Sequence, residues 1–333
     1  MRKIVFLCIV ILEIATISFL AGKIYLERSQ VLGENVSINP ISKDDVIFPN
    51  KDDDSGLKYF YEPMPNTEIT YKAAWLPQDY TYIATINADS LNERFNYSID
   101  KNSNVFRIVT IGDSYTFGDN VNTKDNYPEK LEDMLNDNSL CNANMKFEII
   151  NLGFSGYDIE YAVQRFKVRG QKYNPDLVLW LIKNDDFSDV NELTKPKTDQ
   201  YRVEISADQA LLAKFQKQGN FYPWATKASQ ELKEELGREG ILTYIEKSFE
   251  KINDYYIGRL VFVASSSSLK DAYISMLNDF AKERGNTYVY DGLSMSYDKL
   301  EDKAHPTSNG YVQIAGEIFE YLKKSDLVSC DSL

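Results

Sequence analysis

Histidine is nearly absent from this sequence of 333 residues, which contains a single one, His305. A zinc site built from several histidines of one chain is therefore excluded. If the chemistry of the protein requires an imidazole base, that base can only be His305.

Cysteine is also scarce, and the three residues are Cys8, Cys141 and Cys330. No two of them have the CxxC spacing, which excludes a zinc ribbon and a thioredoxin-like motif. Cys8 lies in an apolar N-terminal run. Cys141 and Cys330 could form a disulfide outside the cytoplasm, and the sequence leaves this open because it does not give their geometry.

Basic residues are outnumbered, with 37 Lys and Arg against 50 Asp and Glu, so the formal net charge is −13. Binding to nucleic acid requires clustered basic residues, and electrostatic binding to an anionic lipid surface requires them too. Neither is expected here. A hydrophobic fraction of 43%, with 13% aromatic residues, indicates a packed domain rather than a disordered chain.

The sequence has a long apolar run at its N-terminus, Ile4–Gly22, which follows two basic residues and is long enough to cross a bilayer. Signal cleavage requires small residues at −3 and −1, and a cut after Ala21 would place Phe19 at −3. We therefore expect residues 1–29 to form an uncleaved membrane anchor with the body of the protein outside the cytoplasm. Secretion after signal cleavage is the alternative.

The remainder of the chain divides by composition. Residues 30–65 are polar and read as a stalk, and the tyrosine-rich residues 66–104 are expected to pack on the core as a preface. Residues 105–325 form the main domain, with an insertion at about 187–250. That insertion is either a lid or substrate wall, or a solvated decoration.

Short apolar strands alternate with amphipathic helices in the main domain. The predicted strands are Val105–Ile111, Phe147–Leu152, Asp176–Ile182, Arg259–Ala264 and Thr287–Tyr290. The predicted helices are Asn126–Leu135, Ile159–Val168, Leu269–Ala281 and Asn309–Leu322. This alternation predicts an α/β fold with a parallel sheet covered on both faces.

Candidate catalytic residues lie just after predicted strands or in the last loop. Ser114 follows the first strand, Gly153 the second and Asn184 the third, while Asp302 and His305 lie before the last helix. Because ligands bind at the carboxyl ends of parallel strands, we expect these residues to meet at one edge of the sheet.

A serine hydroxyl needs an adjacent base to act as a nucleophile at neutral pH, and an imidazole is suited to that task. His305 would activate Ser114, and Asp302, three residues earlier, would hold the imidazole in one tautomer. Asp298 and Glu301 are the nearest acidic alternatives to Asp302.

An oxyanion that forms during acyl transfer needs hydrogen-bond donors. The side-chain amide of Asn184 and the backbone N–H groups of Ser114 and Gly153 are the candidates. Asp113 is expected to order its loop. Lys183 is either a surface residue or a substrate contact, and the sequence does not decide between them.

Four short motifs together resemble the SGNH, or GDSL-like, hydrolase superfamily. They are GDSY at 112–115, NLGFSG at 151–156, IKND at 182–185 and DKAH at 302–305, in the order of that family. The resemblance spans about Phe106 to Leu322. Tyr115 stands where the family name has leucine, and Ile182 replaces a glycine. The α/β-hydrolase pattern Gly-x-Ser-x-Gly is not met, because position 116 is threonine.

The resemblance implies a three-layer α/β/α sandwich with a flavodoxin-like parallel sheet of about five strands. It also implies a Ser114–His305–Asp302 triad, an oxyanion hole of Ser114, Gly153 and Asn184, and no metal or organic cofactor. The expected activity is hydrolysis of acyl esters, acetyl above all, on cell-envelope or extracellular polysaccharide. An O-acyltransferase with the same triad and a catalytically inactive, anchored glycan-binding protein are the alternatives.

Overall fold

The structure is a computed structural model that describes residues 45–49, 56–71, 81–137, 141, 145–217, 223–300 and 304–328. The predicted anchor at 1–29 lies outside these residues. Within the described ranges, no helix is long and apolar enough to cross a membrane.

A five-stranded parallel sheet forms the centre of the protein. Its strands are β5 (Val105–Ile111), β6 (Lys146–Asn151), β7 (Leu177–Leu181), β8 (Arg259–Val263) and β9 (Thr287–Tyr290). Their spatial order is β6-β5-β7-β8-β9, and every neighbouring pair is parallel. The predicted flavodoxin-like α/β sheet is thereby confirmed, and the predicted strand ends differ from the observed ones by one residue at most.

Helices cover both faces of this sheet. The α-helices of the described residues are α1 (Ser114–Phe117), α2 (Tyr127–Asp137), α3 (Ile159–Arg165), α4 (Asn191–Ala207), α5 (Gln209–Lys217), α6 (Pro223–Glu250), α7 (Asp271–Arg284) and α8 (Ser308–Lys324). Side chains alternate along a strand, so Val109 packs with α3, α6 and α7, whereas Ile108 packs with α2 and α8. Two apolar layers therefore enclose the sheet, as a three-layer sandwich requires.

The predicted insertion at about 187–250 is mostly helical, consisting of α4, α5 and α6. Helix α6 is kinked at Gly237, and its second half buries Ile241, Ile245 and Phe249 against the sheet. The second half of α6 therefore belongs to the helical layer on the sheet. Only the residues of the insertion before Gly237 are an addition to the sandwich.

The preface packs on the core through two small antiparallel sheets. Strand β1 (Val46–Ile47) pairs with β2 (Glu62–Pro63), and β3 (Thr67–Tyr71) pairs with β4 (Tyr82–Ile86). Phe60 is fully buried in a cluster with Phe154. The packed region therefore begins by Val46, and the predicted stalk at 30–65 is too long, because aromatic residues within it belong to this cluster.

A buried ion pair fixes this preface to the sandwich. Arg165, on α3, contacts the Glu62 carboxylate, and both side chains are 1% exposed. Arg169 also contacts Glu62, at 2.8 Å. Burial by itself would raise the pKa of Glu62, but Arg165 and Arg169 together lower that pKa.

Candidate active site

Ser114 stands at a sharp turn between strand β5 and helix α1. Gly112 has φ +151°, and a Cβ at this position would overlap the Thr116 side chain, so the turn requires glycine. Asp113 caps α1 by accepting a hydrogen bond from the Tyr115 N–H at 2.9 Å. The cap fixes the first residue of the helix, Ser114, at the carboxyl edge of the sheet.

His305 is placed by the loop that runs from β9 to α8. In that loop Lys299 and Pro306 form an antiparallel bridge, and the Leu300 N–H donates to the His305 carbonyl at 2.9 Å. His305 Nε2 lies 3.1 Å from Ser114 Oγ, although the two residues are 191 positions apart in sequence. This distance is within hydrogen-bond reach for an imidazole that accepts the serine proton.

Tyr115 braces the same loop. Its hydroxyl donates to the Ala304 carbonyl at 2.5 Å, and its ring centroid lies 5.6 Å from that of His305. The Tyr297 hydroxyl donates to the Tyr115 hydroxyl at 3.1 Å. This role of Tyr297 was not predictable from the sequence, because its partner lies 182 positions away.

The acidic member of the predicted triad, Asp302, lies outside the described residues, as does Glu301. The third acidic candidate, Asp298, accepts a hydrogen bond from the Asn309 side chain at 2.5 Å, at the start of α8. Asp298 thus holds the start of that helix, and the assignment of Asp302 as the orienting acid stays a prediction.

Two of the predicted oxyanion donors, Gly153 and Asn184, already donate hydrogen bonds within the protein. Gly153 lies against α1 so closely that a Cβ would overlap the Phe117 backbone, and its N–H donates to Asn151 Oδ1 at 3.0 Å. The Asn184 amide donates to the Ser268 carbonyl, and its oxygen accepts from the Lys270 N–H at 3.2 Å. Both Gly153 and Asn184 would have to exchange an internal partner for substrate, so their oxyanion role stays a prediction.

A buried carboxyl that was not predicted from the sequence lies beside the site. Asp119, which follows α1, accepts a hydrogen bond from Ser155 Oγ at 2.5 Å. Burial raises the pKa of Asp119 to about 6, although the nearby His305 and the Ser155 hydrogen bond act to lower it. The sequence contains one signal that could have identified Asp119: it is an acidic residue directly after the GDSYTFG segment at 112–118.

Comparisons with known proteins found a match among solved structures alone. No family model matches the sequence, and no curated protein matches it. The crystal structure of TesA is 11% identical and covers 67% of this chain and 99% of its own, with a TM-score of 0.37. Axe2, an acetylxylan esterase from Geobacillus stearothermophilus, is 13% identical and covers 67% of this chain and 96% of its own, also with a TM-score of 0.37.

A lipase/acylhydrolase from Enterococcus faecalis is 16% identical and covers 66% of this chain and 95% of its own, with a TM-score of 0.37. Similarity at this level does not specify a reaction. The functional interpretation therefore rests on the side chains at the carboxyl edge of the sheet, foremost Ser114 and His305.

Proposed function

We propose that this protein is a serine hydrolase that cleaves acyl esters, anchored to a membrane with its catalytic domain outside the cytoplasm. One observation carries the proposal: the single histidine of the chain has its Nε2 atom 3.1 Å from the hydroxyl of Ser114. A binding protein has no need for an imidazole at this distance from a serine at a strand-to-helix turn.

In the proposed mechanism, Ser114 Oγ attacks the ester carbonyl while His305 Nε2 takes the serine proton. The tetrahedral intermediate collapses, and the imidazolium returns the proton to the leaving alkoxide. Water then attacks the acyl-enzyme with His305 again as base, and the carboxylic acid and free Ser114 are released. Asp302 orients the imidazole, and backbone N–H groups stabilise the oxyanion.

The proposed location rests on the N-terminal run and on cysteine chemistry. Cys141 is buried and disulfide-bonded, and both other cysteines, Cys8 and Cys330, lie outside the described residues. Disulfides persist in oxidising compartments, which supports a catalytic domain outside the cytoplasm.

We further propose that the substrate is an acetylated cell-envelope or extracellular polysaccharide. The resemblance of the four motifs to the SGNH superfamily supports an ester substrate, and the anchor would hold the enzyme next to envelope polymers. The net charge of −13 supports a substrate other than nucleic acid.

The test is acetate release by the purified full-length chain from acetylated polysaccharide, beside p-nitrophenyl esters of two to sixteen carbons. We expect acetate release and a preference for the shortest ester. Ser114→Ala should lower the rate by about 10³-fold or more. Ser325→Ala, at the far end of α8, is the matched control and should retain the wild-type rate.

Each other outcome overturns a stated part of the proposal. Cleavage of long-chain esters without acetate release would remove the acetyl substrate. Appearance of the acetyl group on an added glycan would make the enzyme an O-acyltransferase. Glycan binding without turnover, unchanged by Ser114→Ala, would make the protein a binding protein.

A further inference from the structure

Lys183 lies among charged and aromatic residues at the carboxyl edge of the sheet, two positions after β7. Its Nζ is 2.6 Å from Asp113 Oδ2 and 4.1 Å from the centroid of the Tyr115 ring. Asp185 Oδ2 is 3.0 Å away, and the lysine side chain is 16% exposed. Lys183 is therefore a mostly buried cation that reaches back toward the nucleophile turn.

The partner of this cation, Asp113, immediately precedes the nucleophile in sequence. Asp113 is 4% exposed, and its Oδ1 atom accepts the Tyr115 N–H, which fixes the carboxylate beside Ser114. A buried negative charge at this place would favour a protonated, positively charged imidazole on the neighbouring His305. A histidine in that form cannot accept the proton of a serine.

We propose that Lys183 is a positioning residue, whose ammonium group neutralises Asp113 and so keeps His305 in the uncharged form that acts as a base. The inference rests on the proposed hydrolase function, in which His305 is that base. The charge effect itself can be measured without any substrate.

Lys183 lies close enough to His305 for its charge to shift the pKa of the imidazole measurably. Both groups lie close to the Tyr115 ring, with Lys183 Nζ 4.1 Å from its centroid and the His305 ring centroid 5.6 Å from the same point. The cation is thus within about 10 Å of the imidazole. At an effective dielectric constant of about 20 to 40, a unit charge at that distance changes a pKa by about 0.6–1.2 units.

Within the described part of the chain, several other titratable groups interact with Lys183, and these are acidic or phenolic. These groups are Asp113, Asp119, Asp185, Asp186, Asp189, Tyr115 and Tyr297. Burial by itself would lower the pKa of Lys183, but Asp113, Asp185 and Asp186 together raise it well above its ordinary value. The lysine therefore stays charged and opposes the acidic groups around it.

Because the chain has one histidine, selective ¹³C labelling of histidine gives a single imidazole signal whose pH titration reports on His305 alone. In the full-length protein in detergent, we expect Lys183→Met to raise the midpoint by about 0.6–1.2 pH units. Asp113→Asn, which keeps the capping oxygen, should lower the midpoint. The double variant should return close to wild type, and Lys183→Arg should match wild type.

Lys324→Met is the matched control, because Lys324 is 75% exposed at the distant end of α8 and should leave the midpoint unchanged. A wild-type midpoint in both Lys183→Met and Asp113→Asn would overturn the inference. If Lys183→Met fails to fold, the opposite shift in Asp113→Asn still tests it.

The pH dependence of kcat/KM separates this inference from the proposed function. With the proposed function correct, the acidic limb of the Lys183→Met profile moves to higher pH together with the imidazole midpoint. An active enzyme whose imidazole midpoints do not change in the variants would contradict the role of Lys183 and leave the proposed function in place. Imidazole midpoints that shift as expected in a protein without hydrolase activity would contradict the proposed function and support the charge effect of Lys183.

Discussion

Ser114 and His305 meet because a glycine turn and a short bridged loop place them on the same sheet edge. The turn depends on Gly112 and on the Asp113 cap, and the loop depends on the bridge between Lys299 and Pro306. Each of these is a local arrangement, so single substitutions can test what holds the imidazole near the nucleophile.

The hydroxyl of Tyr115 is the first such test. Tyr115→Phe keeps the ring beside His305 but removes the hydrogen bonds with Ala304 and Tyr297. We expect kcat to fall by about 5- to 30-fold, since each of the two lost hydrogen bonds is worth about 1 kcal/mol, with little change in KM. Tyr288→Phe, at an exposed position on β9, is the control and should be neutral in steady-state kinetics. Equal kcat in Tyr115→Phe and wild type would show that the loop does not need this brace.

Asp119 gives a prediction about stability and pH. Its pKa in the folded protein is about 6, above the ordinary value of 3.8, so folding favours the protonated form. The stabilisation from that proton is present at low pH and is lost as the pH rises through about 6. Asp119→Asn should therefore be stabilised relative to wild type by about 1–3 kcal/mol at pH 8, and much less at pH 4.

Urea denaturation at the two pH values measures this difference. Asp137→Asn, which removes a charge from an exposed position at the end of α2, is the control. An Asp119→Asn variant less stable than wild type at pH 8 would mean that the ionised carboxylate is favoured in the folded protein.

Among single residues, the sequence predicted those with a strong local signature. Ser114 follows a buried strand and a glycine, and His305 is unique, so both were identifiable. Asp119, Ser155 and Tyr297 were not, because their partners are distant in sequence. The contacts of Asn184 with Ser268 and Lys270 were likewise invisible, since the loop after β8 has no motif that indicates where it packs.

At the scale of elements, the five central strands were predictable because a strand buried on both faces is a continuous apolar run. The helices of the insertion were harder. Much of α4 and the first half of α6 are charged and pair with each other, for example through Lys197 and Glu231 at 2.5 Å, so they lack a clear apolar stripe. The extent of the preface was underestimated, because Glu62 is ion-paired with Arg165, 103 positions later.

The ion pair that fixes the preface gives a prediction at this scale. Glu62→Gln leaves the Arg165 guanidinium buried without its carboxylate, and we expect a loss of about 3–5 kcal/mol in unfolding free energy. Glu68→Gln, at an exposed position on β3, should cost less than about 0.5 kcal/mol. The double replacement of Glu62→Leu and Arg165→Met should cost less than Glu62→Gln alone, because it leaves no unpaired charge.

Chemical denaturation of the three variants measures these differences. Because the pKa of Glu62 is lowered in the folded protein, its contribution should be present at neutral pH and should be lost on acidification. A Glu62→Gln variant within 1 kcal/mol of wild type at pH 7 would show that other contacts hold the preface.

At the scale of the whole molecule, we propose a catalytic sandwich that residues 1–29 attach to a membrane. The positive residues that precede the apolar run predict that the N-terminus stays in the cytoplasm and the catalytic domain is outside. In intact cells or spheroplasts, added protease should digest the domain, and carbonate washing should leave the full-length chain in the membrane fraction. Protection from protease without membrane lysis would contradict this topology, and release of a shortened chain into the medium would indicate signal cleavage.

The most direct test of the central claim is covalent labelling of the purified full-length protein with a fluorophosphonate probe, followed by peptide mapping. An activated serine attacks phosphorus, whereas a serine without an adjacent base does not. The proposed hydrolase predicts a single adduct on Ser114 in wild type and no adduct in Ser114→Ala or His305→Ala. Folded wild-type protein that takes up no probe, or that is labelled equally after His305→Ala, would contradict it.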